Sequence, residues 1–422
     1  MDEHEDRGPG PAQLARAAVP ALLIGAASAL ILFGADELAL LLEHWWWETL
    51  PHLLGVEEDA RWWIVVVLTI TGALVGLVLW KAPGHGGHDT AAVELIAPPL
   101  PLRALPGVLA ALVLGLAGGV SLGPEGPIIM IGAALAVLAY RWLAPAVPVT
   151  AVLVIAAAGM LGAMLGTPVA AALALTGALG GVKGGHLWDR LFAPLVAAGA
   201  GAAMYHLLGG VSWDMGLPAY EPAWVDLLTA SVVAVVAALA GVGAAALFTP
   251  AWRLSRRLGH PMVYATVGGL LLGLLGVVGG HITLFKGAAE TAEILADRDQ
   301  YGVGALILII VVKLVAVVVA GASGFRGGRI FPALFVGVVV GLLGHALIPG
   351  LPLAMAVAAG VMGMVLAISR DGWFAIFGGV LVAGDVATLA ILCIAILPAW
   401  LVVTRAPHML VRLPEQERAP VV

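Results

Sequence analysis

Apolar residues run along this chain in continuous stretches, broken by short polar, glycine-bearing or proline-bearing segments. Stretches of about 15 to 25 such positions predict helices that cross the ~30 Å hydrocarbon core of a bilayer, not the alternating strands of a β-barrel. They fall near 17–42, 62–80, 105–117, 127–146, 149–165, 168–182, 190–207, 226–248, 262–279, 303–320, 330–348, 353–368 and 373–403. Two of them, 105–117 and 168–182, are too short to span and are predicted to be half-membrane or re-entrant helices. The stretch from Ala17 to Leu42 exceeds one crossing and is expected to tilt. Ahead of it, the acidic Asp2, Glu3, Glu5 and Asp6 do not make the basic start of a cleaved signal.

Only 11% of the residues are charged and 61% are hydrophobic, which excludes a soluble multidomain enzyme, where roughly a quarter are charged. The 56 glycines and 26 prolines imply close helix contacts and interrupted helices. Interruptions at membrane depth are tolerated where the freed backbone groups are buried in protein or line a cavity, so they point to transport rather than anchoring. A net charge of −6 argues against a nucleic-acid partner, and the lone Cys393, inside an apolar run, reads as a packing residue. Arg253, Arg256 and Arg257, with Arg405, Arg412 and Arg418 in the tail, predict a cytoplasmic C-terminus by the positive-inside rule. Glu43, Glu48, Glu57, Glu58 and Asp59 beside Trp45, Trp46, Trp47, Trp62 and Trp63 suit an outer membrane interface.

One internal repeat organises the whole. Gly123-Pro124-Glu125-Gly126-Pro127, then Gly132, has the spacing of Gly328-Arg329-Ile330-Phe331-Pro332, then Gly337; both read G-x-x-x-P-x-x-x-x-G. The offset, 328 minus 123, is 205, close to half of 422 residues. Two homologous halves, approximately 17–207 and 226–404, are therefore expected in a single transmembrane domain, 17–404, with cytoplasmic tails at 1–16 and 405–422. The expected fold class is an all-α polytopic membrane protein with broken and re-entrant helices.

In Gly123 to Pro127, glycine permits a sharp turn and Pro127 suits the first turn of a following helix. A helix start presents unpaired amides and the positive end of a dipole, so two such starts can replace part of an anion's hydration shell. Glu125, in that turn, is a candidate gate: its carboxylate would compete with an anion, and protonation would release it. The plainer reading is a helix-start carboxylate that complements the dipole. Gly84-His85-Gly86-Gly87-His88-Asp89 is a third glycine-dense stretch; it suits an interfacial or anion-lining turn, its histidines also read as plain loop residues, and its imidazoles and carboxylate also suit a metal. Lys313 and Asp385 lie in apolar runs. Lys313 reads either as support for a positive pathway or as a lysine satisfied by carbonyls, and Asp385 as a buried hydrogen-bonding group.

Gly123-Pro124-Glu125-Gly126-Pro127 resembles the G-[KR]-E-G-P signature of the chloride channel (CLC) family of anion channels and proton/chloride antiporters. Gly84 to His88 resembles that family's G-S-G-I-P turn, and Gly328 to Pro332 its G-x-F-x-P turn, in the same order along the chain. Ser121 to Pro127, Gly324 to Pro332 and the surroundings of Leu187-Trp188 and Asp371-Gly372-Trp373 resemble a bacterial branch of ion-transport proteins. The resemblance implies two inverted-topology halves, a homodimer with one anion pathway per subunit, and Glu125 as the gating glutamate. It implies anion coordination by the backbone of Gly84, His85, Gly86, Gly123, Gly126, Gly328, Arg329 and Ile330.

The chain departs from the family pattern at three places. His85 stands at the position of a chloride-coordinating serine, which adds a pH-sensitive group. Gly177 and Ala178 stand where the family carries an internal proton-transfer glutamate, and Met409 where it carries a pore tyrosine. The reading is therefore transport of chloride or a similar small inorganic anion across a bacterial inner membrane, gated by Glu125 and uncoupled or loosely coupled to protons, without a cofactor, a resident metal or enzymatic activity. The alternatives are strict proton/chloride antiport, a metal-ion transporter built on His85, His88 and Asp89, and an intramembrane serine protease. The last rests on Gly321-Ala322-Ser323-Gly324, with His345 or His408 as base.

Overall fold

The structure is a computed structural model that describes residues 10–57, 60–93, 96–143, 147–180, 186–210, 213 and 215–411. Asp2, Glu3, Glu5, Asp6, Glu58, Asp59, Arg412 and Arg418 lie outside the described residues. The first half contains α1 (Pro11–His44), a π-helical turn (Trp45–Thr49), α2 (Leu50–Leu54), α3 (Arg61–Lys81), α4 (Leu105–Ala117), α5 (Glu125–Leu143), α6 (Val149–Leu165), α7 (Pro168–Gly180) and α8 (Leu187–Leu207). The second contains α9 (Asp226–Arg256), α10 (Pro261–Gly279), α11 (Ala288–Ala296), α12 (Val303–Ala322), α13 (Ile330–Leu347), α14 (Leu353–Ser369), α15 (Gly372–Ala383) and α16 (Leu389–Val403).

Among the described residues, Pro11–Leu54, Arg61–Lys81, Asp226–Arg256, Pro261–Gly279, Val303–Ala322 and Ile330–Leu347 are long and apolar enough to cross a bilayer. The short stretches at 105–117 and 168–182 form α4 and α7, helices of 13 residues each. The apolar run 373–403 is not one segment but two. Gly384 ends α15 in the left-handed region at φ 69°, and the Asp385 carboxylate accepts the Ala387 amide to start the next turn. The expected segments also omitted α11, which is short.

The halves repeat element by element: α1 corresponds to α9, α3 to α10, and α4 through α8 to α12 through α16. α1 packs on α6 and α8, and α9 packs on α14 and α16. Each half is joined to the other by counterparts, α3 on α10 and α7 on α15, as a twofold relation between inverted repeats requires. Lipid tails are as apolar as leucine, so these helices associate by close packing at small residues. A Cβ on Gly25 of α1 would come within 2.0 Å of the Ala197 carbonyl on α8, and one on Gly363 of α14 within 2.1 Å of the Ala234 carbonyl on α9.

Candidate functional site

The two repeat turns meet at the centre. The Gly123 amide donates to the Gly328 carbonyl at 2.9 Å and the Gly328 amide to the Gly123 carbonyl at 2.7 Å, an isolated antiparallel bridge. This reciprocal pair sets the starts of α5 and α13 side by side, with their unpaired amides converging. Glu125, the first residue of α5, is 2% exposed and sends its carboxylate across to the other half. Oε1 accepts the Phe331 amide at 2.8 Å, with the amides of Ile330 and of Glu125 itself also directed at the carboxylate. Oε2 is buried and has no hydrogen-bond partner. The glycines leave room for it: a Cβ on Gly328 would lie 2.0 Å from Oε2, and one on Gly123 2.3 Å.

Glu125 forms part of the wall of a cavity of about 510 Å³. Of the sequence-predicted residues, Gly126, Gly328, Arg329 and Ile330 line it too, while Gly123 stands behind them in the bridge. Gly84, His85 and Gly86 do not line it. Thr90, which the sequence reading passed over, does. Its hydroxyl donates to the Phe325 carbonyl and accepts the Gly327 amide, each at 3.4 Å. The available signal was adjacency, a hydroxyl directly after the glycine-dense stretch. A larger cavity, about 1350 Å³, is lined by Trp47, His52, Arg61 and His281 and holds none of the predicted site residues.

Several groups of the turn over Pro83–Gly86 are engaged within the fold. The His85 amide donates to Ala82 and the Gly87 amide to Gly84, while the carbonyls of His85 and Gly86 accept from the Arg326 guanidinium at 3.2 and 3.1 Å. The His85 ring is hydrogen-bonded through Nδ1 to the Leu79 carbonyl at 2.9 Å, which makes Nδ1 the donor. The His88 ring is 3.1 Å from the Pro98 carbonyl. Asp89 accepts from Arg256 at 2.6 Å, Trp252 at 3.2 Å and Arg326 at 3.3 Å. The three side chains of the metal reading thus face three different partners, and the carboxylate is engaged by two guanidiniums.

Lys313 is fully buried and donates to the carbonyls of Thr283, Leu284 and Phe285 at 3.1, 2.6 and 2.8 Å, so its ammonium is satisfied within the fold. Asp385 accepts the Tyr220 amide at 2.7 Å and the Ala387 amide at 2.8 Å, so the expected hydrogen bonding is present, but the residue is only half-buried because it stands in the break between α15 and α16. Ser323, in the protease reading, caps α12. His345, near the far end of α13, is hydrogen-bonded to the Leu351 carbonyl at 2.7 Å. About 15 helical residues, or roughly 20 Å of rise, separate that ring from the start of α13, out of reach of Ser323. Met409 is 1% exposed, whereas His408 and Leu410 beside it line the cavity of Glu125. Gly177 and Ala178 lie on α7, and their side chains are outside the described residues.

Residues 64–404 match the voltage gated chloride channel family. The chain is 43% identical over 400 residues to the protein named "Putative ion-transport protein YfeO" of Shigella boydii serotype 4 (strain Sb227) and to that of Escherichia coli (strain K12 / DH10B). Both matches cover 94% of this chain and 96% of the relative. Among solved structures, a slow cyanobacterial chloride/proton antiporter has a TM-score of 0.78 at 20% identity, over 92% of this chain and 94% of its own. A CLC-type fluoride/proton antiporter has a TM-score of 0.73 at 20% identity, over 95% and 98%. These likenesses share the fold described above, two inverted repeats of broken helices. With the family match spanning most of its length and relatives at this identity, the chain belongs to the voltage-gated chloride channel family of multi-pass membrane proteins, which transport anions and are not enzymes.

Proposed function

We propose that the chain carries chloride or a similar small inorganic anion through a pathway of its own, with Glu125 as the gate and without strict coupling to protons. The observation that carries this is the Glu125 carboxylate seated on the Phe331 amide, between glycines that leave space only for it. A carboxylate oxygen held this way occupies the place an inorganic anion would take at the same amides. Protonation removes its charge and its claim on those amides, so the side chain turns away and an anion replaces it. Thr90 and the starts of α5 and α13 then supply the donors around the ion; Gly84, His85 and Gly86 act by holding the neighbouring turn.

Weak coupling is supported by what surrounds the cavity. Asp371 is the other carboxylate among its described lining residues, and it is engaged as the cap of α15, accepting the Phe374 amide at 3.0 Å. With Gly177 and Ala178 where the family carries its internal glutamate, protons lack a second carboxylate to hop to. The rest of the proposal follows the family and the positive-inside pattern: a homodimer in a bacterial inner membrane, with both tails in the cytoplasm.

The test is flux from chloride-loaded liposomes, voltage clamped with potassium and valinomycin, with external chloride and pH recorded together. Chloride efflux without proton movement, made pH-independent by Glu125→Ala, is expected. Uphill proton movement driven by chloride would replace the uncoupled reading with strict antiport. Absence of anion flux in the wild type would overturn the assignment altogether.

A further inference from the structure

Phe331, whose amide holds the Glu125 carboxylate, also carries a buried ring. That ring stacks on the indole of Trp213, with centroids 6.1 Å apart and planes 24° from parallel, within the range of a favourable aromatic pair. Trp213 belongs to neither set of repeated helices; it stands in the segment that links α8 to α9. The same segment packs Met215 and Leu217 on the main core. Its far end is tied by the Tyr220 amide to Asp385 and by the Tyr220 hydroxyl to Asp226, each at 2.7 Å.

Two details separate this contact from ordinary core filling. The counterpart of Phe331 in the first half, 205 residues earlier, is Gly126, so the repeat does not itself require a ring at that point. The indole Nε1 of Trp213 is buried without a hydrogen-bond partner, so the residue contributes the face of its ring and not its donor. The ring also acts where the backbone is least constrained. Phe331 is the second residue of α13, and its amide, like the others of a first turn, has no acceptor within the helix. Side-chain packing then takes a share in fixing the direction of that amide.

We propose that Trp213 is a positioning residue for the gate: by holding the Phe331 ring, it aims the amide for which the Glu125 carboxylate and the transported anion compete. The inference rests on the gating reading above. An aimed amide favours the ionised carboxylate over the protonated acid, and it favours an anion in the same place. A seat that loses its aim releases the carboxylate at a lower proton concentration and holds the anion less well.

The test is liposome chloride flux, against pH and against chloride concentration, for wild type, Trp213→Ala, Trp213→Leu and Trp213→Phe. Trp213→Ala is expected to move half-maximal flux to higher pH by about one pH unit and to raise half-saturating chloride by about tenfold, the scale of one hydrogen bond to a charged group. Trp213→Phe keeps a ring without the N–H and should retain both wild-type values. Trp213→Leu fills the space without stacking and should follow Trp213→Ala. Every variant leaves in place the charged and titratable groups around the carboxylate: Lys286 ahead of α11, Arg329, and Arg370, Asp371 and His408 of the cavity wall. A Trp213→Ala protein that melts at a lower temperature with both flux values unchanged overturns the inference, because plain core packing predicts that result. So does a Trp213→Phe protein that behaves as Trp213→Ala, which assigns the effect to the donor. Should Trp213→Ala not fold, the contrast between Trp213→Leu and Trp213→Phe decides in the same way. Wild-type flux that does not respond to pH fails the gating reading and takes this inference with it, whereas a responsive wild type with an unmoved variant profile overturns this inference alone.

Discussion

The two halves of the molecule share a scaffold and differ in what holds and charges it. In the first half, the turn after α3 packs against Val108 of α4 and is tied by the carbonyls that Arg326 reaches from the other half. In the second half, the position 205 residues beyond Val108 is Lys313, whose ammonium ties the turn after α10 from within, through three carbonyls. The repeat turns differ in the same way: Glu125 has Ile330 as its counterpart, so the halves bring one carboxylate, not two, to the bridge. Duplication supplies converging helix starts, and divergence at single positions gives each half a separate task. One half presents the carboxylate and the other presents its seat.

The largest break in that comparison is steric. Gly328→Ala places a methyl group where the Glu125 carboxylate lies and should cost about 1–3 kcal/mol of overpacking, with loss of pH-gated flux. Adding Glu125→Ala removes the clash, so the double variant should recover a melting temperature close to that of Glu125→Ala alone. Independent, additive losses would show that the carboxylate does not fill this space. Next is Lys313→Met, which leaves three buried carbonyls without their donor and should lower stability by about 3 kcal/mol in a detergent melt. Val108→Ala, at the matching point of the first half, should cost less because it removes only packing. Equal losses would erase the asymmetry.

A smaller effect separates Thr90 from His85. Thr90→Val removes a hydroxyl in the cavity wall and should lower chloride flux by a few-fold, roughly the value of one hydrogen bond. His85→Ser, which alters a ring directed at the Leu79 carbonyl, should leave the pH profile of flux unchanged. A shifted profile in His85→Ser would restore the histidine to the pathway.

The fold was legible because continuous apolar runs and a repeat of fixed spacing report helices and duplication directly. Gly123, Pro127, Gly328 and Pro332 each carry a backbone requirement that only a few residue types meet, so the bridge of two turns could be anticipated. Thr90 was marked only by its adjacency to the glycine-dense stretch, since a hydroxyl gains its meaning from the Gly327 amide, contributed from 237 positions away. The break at Gly384 was missed for the opposite reason. Its marker was local, but apolarity on both sides of Gly384-Asp385 outweighed it. Lys313 shows the same limit, because a lysine in an apolar run reads alike whether it faces a pathway or three carbonyls.

That break provides the finest test of how the halves are joined. Asp385 accepts the Tyr220 amide from the segment linking the halves and the Ala387 amide from its own turn, and these two bonds hold its carboxyl below the usual carboxylate range. A carboxyl with a depressed folded-state value adds stability that is fully present above its unfolded value, about 3.9, and is lost as pH falls through the folded value. Asp385→Asn should therefore melt at a lower temperature than the wild type at neutral pH, by a small margin because the group is near solvent. The two should converge as pH drops below about 4, where the wild-type carboxyl takes up its proton. A constant offset between the two proteins across that range would mean that the charge on Asp385 does not hold Tyr220, and that the linking segment is fixed by packing alone.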